Sequence, residues 1–312
     1  MPELHLPVLL EEVISGLRPP APGLLVDATI GLGGHARALL DAYPECSLLG
    51  LDRDPEALDH ARRRLQAFAG RSTLVCSPFA RMPEVLATTG SPSPVAVLAD
   101  LGCSSLQLDS PDRGFSFSAD GPLDMRMGTT GPSAADLVNT AEPETLMRIL
   151  WDYGEERRAR AIVRALVRQR EAEPIATTGE LSRLVQGVLG RRPGSKIHPA
   201  TRTFQALRIA VNDELGQLQA FLEPAVRALA PEGKIAVISF HSLEDRIVKH
   251  TLRRLAGKAP PPPGPPIPHQ APPALIRILT KRPIRASDQE VEKNPRSRSA
   301  RLRIAQRVGD SG

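Results

Sequence analysis

VDATIGLGGHA, Val26 to Ala36, is the stretch that decides the fold. It closes a short apolar strand (Leu24–Ala28) and opens a helical pattern running from His35 to Tyr43. Glycines at Gly31, Gly33 and Gly34 let the backbone turn with positive φ and approach a ligand closely, with no Cβ in the way. The helix that follows offers N–H groups without intrahelical partners to polar or anionic ligand atoms. About 20 residues on, a second apolar strand (Ser47–Leu51) ends in Asp52, within LDRDP. A carboxylate at that strand tip suits a pair of ribose hydroxyls. Ala36 can stand for the third glycine of the dinucleotide fingerprint, so the spacing admits a nicotinamide cofactor as well as another nucleoside. Two details favour the other nucleoside. Asp27 precedes the glycines, where it can take up an ammonium group or orient the loop, and nothing in the chain looks like a substrate domain for hydride transfer.

Outward from this stretch, strands and helices alternate. A helix over Pro55–Ala69, a strand at Thr73–Cys76, a short helix near Arg81–Thr88 and a strand at Val95–Leu101 complete a βαβ series with parallel strands. From about Ser133 to Leu189 the pattern is helical, including Glu155–Arg170 with apolar Ala161, Ile162, Ala165 and Leu166. A long helix, roughly Thr201 to Leu229, leads to a strand at Lys234–Ser239 and a helix reaching about Leu255. Ala259–Pro273 is a proline-rich loop of extended character. Two final strands, near Leu275–Leu279 and Ala300–Arg307, close a doubly wound, mostly parallel sheet of seven strands with an antiparallel last strand. The expected division is one α/β domain from residues 1–110 and 200–312, with an inserted helical domain over 111–199.

Composition is that of a globular protein of 312 residues, 41% hydrophobic and 24% charged. The N-terminus is acidic where a secretory signal is basic, and no apolar run approaches the roughly 20 residues that span a bilayer, so a cytoplasmic location without membrane contact is expected. Cys46, Cys76 and Cys103 fit neither a disulfide framework nor a zinc site, and no metal-ligand cluster is visible. The net charge of +5 is unevenly placed. Arg296, Arg298, Arg301, Arg303 and Arg307 crowd the tail without an acid, which suits phosphate contacts. Leu302 and Ile304 between them also fit an edge strand with a solvated basic face.

The second informative stretch is DLGCSSLQLDSPDRGFSFSADGPLDMRM, Asp100 to Met127. It leaves the end of an apolar strand and runs through small, polar and glycine residues, and open α/β sheets place their chemistry on such loops. Cys103 is a packed thiol or a nucleophile, and no nearby pattern supplies an activating base.

Together these blocks resemble the RsmH (MraW) family of S-adenosylmethionine-dependent methyltransferases, which act on the N4 amine of a cytidine in small-subunit ribosomal RNA. The resemblance is carried by HLPVLLEEVI (His5–Ile14), DATIGLGGHA, GLDRDPEAL (Gly50–Leu58), DLGCSSLQLD through GFSFSADGPLDMRM, YGEERRARAI (Tyr153–Ile162), HPATRTFQALRIAVNDEL (His198–Leu215), ISFHSLEDRIVK (Ile238–Lys249) and NPRSRSARLR (Asn294–Arg303). Cys103 stands where valine is usual, and Gly128 where an acid usually follows DMRM. The resemblance implies a class I, Rossmann-like methyltransferase fold with S-adenosylmethionine held by Gly33, Gly34, His35, Asp52, Phe79, Asp100 and Gln107. The residues themselves support the first four; Phe79 can face a nucleobase or belong to the core.

The cytosine N4 lone pair is delocalised into the ring, so acceptors on its N–H groups must draw the amine towards tetrahedral geometry. Asp100 is the first candidate, helped by the carbonyls of Leu101 or Gly102; Ser104 and Ser105 either hydrogen-bond the base or cap the turn. A cytidine in structured 16S RNA, within the decoding region of the small subunit, must be splayed out to react. Arg113, Phe115, Phe117 and Arg126 are available to hold it, His241 lies at the same sheet edge, and Arg202, Arg296 and Arg298 can meet the RNA. The alternatives are a catalytically idle RNA-binding assembly factor, which predicts loss of the glycine turn or Asp52, and an NAD-dependent oxidoreductase. A DNA amino methyltransferase would carry a D/N/S-P-P-aromatic tetrad, where this chain has DLGCSS.

Overall fold

A computed structural model describes residues 6–190, 198–258 and 273–309. The proline-rich stretch expected at Ala259–Pro273 lies outside these but for its last residue. The chain divides into two compact units, Met1–Gly102 with Leu215–Gly312, and Cys103–Glu214.

The first unit is built on seven strands: β1 (Leu24–Asp27), β2 (Ser47–Asp52), β3 (Ser72–Cys76), β4 (Ala96–Asp100), β5 (Lys234–Ser239), β6 (Ile276–Ile278) and β7 (Arg301–Arg307). They are ordered β3-β2-β1-β4-β5-β7-β6. The pairs among β1 to β5 are parallel, and β7 runs against both its neighbours. The inner strands are apolar on both faces because helices cover both faces. Val26, Leu49, Val97 and Val237 pack against Phe221 and Leu222 of the helix Glu214–Ala228 and Val248 and Leu252 of the helix Ser242–Leu255. Leu25, Leu48, Leu98 and Ile238 pack against α1 (Leu10–Leu17), α2 (Gly34–Ala42) and α3 (Pro55–Arg64). A further helix, α4 (Met82–Thr88), follows β3. Strand order reverses between β1 and β4, the switch point at whose carboxyl ends open α/β sheets bind their ligands.

Strand β7 corrects the edge-strand reading, since it lies between β5 and β6. Two of its arginines point at a partly buried acid, and the third at backbone carbonyls. Asp245 accepts from Arg303 Nε at 2.6 Å and from Arg301 Nη1 at 3.4 Å, and Arg307 Nη1 donates to the carbonyls of Arg227 and Leu229. Arg301, Arg303 and Arg307 are therefore tied into the fold. Arg298 is exposed in the turn before β7, and Arg296 is partly buried there.

The second unit holds α5 (Ser105–Asp109), α6 (Ala134–Thr140), α7 (Pro143–Asp152), α8 (Ala159–Ala172), α9 (Thr178–Leu189) and α10 (Thr201–Asn212). Leu123, Met125, Val138, Leu150, Ile162, Leu181, Phe204 and Leu207 form its core. Its limits at Cys103 and Glu214 lie outside the expected 111–199, because α10 packs inside this core. The expected long helix Thr201–Leu229 is broken at Asp213, whose φ of 49° is left-handed. Asx residues tolerate that conformation, and Asn212 has other bonds to make. Its side chain accepts from Met127 N at 2.8 Å and donates to the Met125 carbonyl at 2.7 Å, holding the 113–127 loop.

Replacing Asp245 with alanine leaves the Arg303 guanidinium, on a residue 8% exposed, without its counter-charge. Urea unfolding is expected to show a loss of about 3 kcal/mol. A loss below about 1 kcal/mol would equate the pair with a surface ion pair.

Candidate active site

The glycine turn after β1 is fastened to the tips of both neighbouring strands. Asp100 N, ending β4, donates to Thr29 Oγ1 at 2.7 Å, and Gly31 N donates to Asp52 Oδ2, ending β2, at 2.9 Å. Gly31 and Gly33 have φ of 50° and 75°, conformations that side-chain-bearing residues rarely adopt. Gly33 caps α2, and a Cβ on Gly34 would lie 2.7 Å from the Pro7 ring, so the turn sits closely against its surroundings. His35 follows in the first turn of α2, where Nε2 donates to the Val8 carbonyl at 2.9 Å. That bond directs Nδ1 towards Asp100 Oδ2, 3.7 Å away, a distance for charge interaction and too long for a hydrogen bond.

Three carboxylates thus gather at the carboxyl ends of β1, β2 and β4. Burial raises Asp27 to about 7, against a bond from Thr29 N, and the charge of Asp52 adds to the rise. Burial also raises Asp52 to about 6, opposed by the N–H groups of Asp54 and Gly31. Asp100 is pushed well above the usual carboxylate range, by burial first and then by Asp27 and Glu244. Asp100 Oδ1 is buried with no hydrogen-bond partner among the described residues. A site of this kind favours a ligand that brings hydrogen-bond donors and positive charge. The ammonium, sulfonium and ribose hydroxyl groups of S-adenosylmethionine match both needs.

Phe79 begins the turn after β3 and packs edge-on against Phe221, with ring centroids 5.2 Å apart at 84°. Its ring is only partly buried, so it packs on the core on one side and is left partly exposed on the other. His241, at the end of β5, caps the helix Ser242–Leu255: Nδ1 accepts from Glu244 N at 3.4 Å, and Glu244 Oε2 accepts from His241 N at 3.2 Å. Glu244, whose charge bears on Asp100, was missed in the sequence. A helix-start pattern, an acid three residues after the cap, was its only signal.

The other predicted residues belong to the second unit. Ser104 and Gln107 form a capping box: the Ser104 hydroxyl accepts from Gln107 N at 3.3 Å, and Gln107 Oε1 accepts from Ser104 N at 3.0 Å. Gln107 Nε2 also donates to the Met127 carbonyl at 3.3 Å, and Ser105 is buried in the first turn of α5. Arg113 donates to the carbonyls of Arg126 and Met127, and Arg126 grips Asp124 through Nε and Nη2 at 2.8 and 2.6 Å. Both arginines brace their own loop. Phe115 is buried, while Phe117 stacks on His198 and meets Phe204 edge-on. Arg202 donates to the Glu155 carbonyl at 3.2 Å. Burial raises the Cys103 thiol, and its sulfur lies 3.4 Å from Arg208 Nη1, which supports the packed-thiol reading over an activated nucleophile.

A sheet ordered β3-β2-β1-β4-β5-β7-β6 with β7 reversed, a glycine turn after β1 and an acid closing β2 define a class I methyltransferase. Residues 3–308 match the model of the MraW methylase family, and the chain belongs to that family. A relative from Methylorubrum populi, named ribosomal RNA small subunit methyltransferase H, is 50% identical over 98% of this chain and 88% of its own length. One of the same name from Heliobacterium mobile is 46% identical over 97% of this chain and 99% of its own. Among solved structures, an rRNA methylase from Streptococcus thermophilus aligns with a TM-score of 0.40 at 10% identity, over 96% of this chain and 92% of that one.

Asp27 and Asp52 hold their protons more tightly folded than unfolded, where the ordinary value is 3.8. Their protonation therefore favours the folded state in full below about pH 4, and that contribution is lost as pH rises through about 6 and about 7. The ligand-free protein is expected to lose melting temperature between about pH 5 and about pH 8. Asp27→Asn, which keeps the acceptor for Thr29 N, removes a cost of up to about 4 kcal/mol at the alkaline end and flattens the profile. Thermal melts across this range check it, and parallel profiles for the two proteins would count against it.

Proposed function

We propose that this chain transfers a methyl group from S-adenosylmethionine to the N4 amine of a cytidine in the decoding region of 16S ribosomal RNA, within the small subunit and in the cytoplasm. The observation that carries the reading is the group of carboxylates Asp27, Asp52 and Asp100 around the glycine turn, with Asp100 Oδ1 buried and unpartnered among the described residues. The names of the relatives support small-subunit ribosomal RNA as the substrate class. No helix among the described residues is long and apolar enough to cross a membrane.

When bound, S-adenosylmethionine supplies a methyl group already activated on a sulfonium, so the protein's task is to position and orient. Asp52 keeps acceptor capacity beyond its backbone bonds from Gly31, Arg53 and Asp54, to take ribose hydroxyls. Gly31 and Gly33 give the turn its positive φ, the missing Cβ of Gly34 makes room for Pro7 behind it, and Phe79 offers a partly exposed ring to a base. Asp100, with Oδ1 free to accept an N–H, draws electron density onto an exocyclic amine and turns its lone pair out of conjugation. His35, fixed by Val8, sets the electrostatic surroundings of Asp100 Oδ2.

The oxidoreductase alternative loses ground to topology. The doubly wound dinucleotide fold orders its strands 3-2-1-4-5-6, whereas here a reversed β7 is inserted beside β5. The idle-factor alternative predicts loss of the glycine turn or Asp52, and both are intact.

Mass spectrometry of 16S ribosomal RNA from a deletion strain is expected to show one missing N4-methylcytidine, restored by the wild-type gene. Asp100→Ala is expected to fold normally and to lower transfer by about 10²-fold or more. An unchanged RNA modification profile would end the reading, and near-wild-type turnover would remove Asp100 from the chemistry.

A further inference from the structure

Trp151 is the chain's one tryptophan, and it is 59% exposed in the last turn of α7. Leu146 and Leu150 of the same helix are fully buried, while Arg148, three residues before the indole, is exposed beside it. A single exposed apolar side chain is ordinary. The charge that accompanies this one is not. Along α8, Arg160, Arg164 and Arg168 stand four residues apart on one exposed line, and Arg157 is exposed in the turn just before the helix. None of these four guanidinium groups makes a hydrogen bond or ion pair with a described residue.

Elsewhere the chain neutralises arginines at helical spacing: Arg62 with Asp59, Arg81 with Glu84, Arg227 with Glu223. On α8 it repeats like charges, which oppose helix formation. Between Arg148 and Arg170 seven arginines face three acids, and one of these, Glu156, is buried with its carboxylate on Arg158 N. Unneutralised arginines in a line are suited to a polyanion, and four helical residues advance about 6 Å, close to the step between phosphates along a nucleic-acid strand.

The turn joining α7 to α8 is held firmly. A Cβ on Gly154 would come within 2.8 Å of the carbonyls of Arg202 and Leu150, Gln205 donates to the Tyr153 carbonyl at 3.1 Å, and Arg202 donates to that of Glu155. Indole and arginines are therefore presented on a fixed frame. We propose that Trp151 and the Arg157–Arg160–Arg164–Arg168 line form a docking surface for a single-stranded segment of ribosomal RNA, the indole stacking on an unpaired base and the arginines meeting successive phosphates. The inference rests on the RNA methyltransferase reading and adds a contact site to it.

The test is methyl transfer to small ribosomal subunits from the deletion strain, with binding of the same subunits measured across potassium chloride concentrations. Trp151→Ala is expected to raise KM about fivefold or more at constant kcat, and Trp151→Phe to recover most of the loss. The triple variant Arg160→Gln, Arg164→Gln, Arg168→Gln is expected to lower the log–log salt slope by about 0.7 to 0.9 for each phosphate contact removed. Both should melt like the wild type. A wild-type KM for Trp151→Ala, or an unchanged salt slope for the triple variant, overturns the docking surface. A wild-type enzyme that leaves small subunits unmethylated overturns instead the reading on which it rests.

Discussion

Two hydrogen bonds, Asp100 N to Thr29 Oγ1 and Gly31 N to Asp52 Oδ2, hold the site together. They fasten the glycine turn to the strands on either side of β1 and draw three carboxylates into one partly dehydrated space. The cost of that burial first, and of neighbouring acidic charge second, appears in the raised Asp27, Asp52 and Asp100. A cationic ligand offsets it, and the same electrostatics that disfavour the ligand-free site then select its occupant. The apolar strands and the two helical layers bring these tips to one edge of the sheet and keep them there.

Strands β2 and β5 were legible to the residue, because an unbroken apolar run ending in Asp52 or in Ser239 leaves little freedom in where a buried parallel strand stops. The glycine turn and Asp52 were equally legible, since their roles depend on backbone geometry and spacing. The break at Asp213 was not. The apolar period runs through it, and only the long-range bonds of Asn212 to Met125 and Met127 show why the helix divides there. The tail arginines misled for a related reason. Arg301 and Arg303 look like a free basic patch until Asp245, more than fifty residues away, is placed opposite them.

Polar side chains in the 104–127 loop mostly serve the loop itself. Ser104, Gln107, Arg113 and Arg126 each satisfy backbone groups or a neighbouring carboxylate, which a reactive-looking run of serines and arginines does not reveal. Irregular backbone needs such partners because its N–H and C=O groups have no ladder to join. Arg160, Arg164 and Arg168 of α8 make the contrast: they satisfy nothing within the described fold, and chemistry outside it accounts for them best.

The central claim is that a crowded set of partly protonated carboxylates receives a cationic nucleoside. Titration calorimetry of S-adenosylmethionine near neutral pH, repeated in buffers of different ionisation heat, tests it most directly. The account predicts saturable binding with net release of protons, as the incoming positive charge drives Asp27, which burial raises to about 7, to ionise. Heats independent of the buffer, or saturable binding of NAD in place of S-adenosylmethionine, would contradict it.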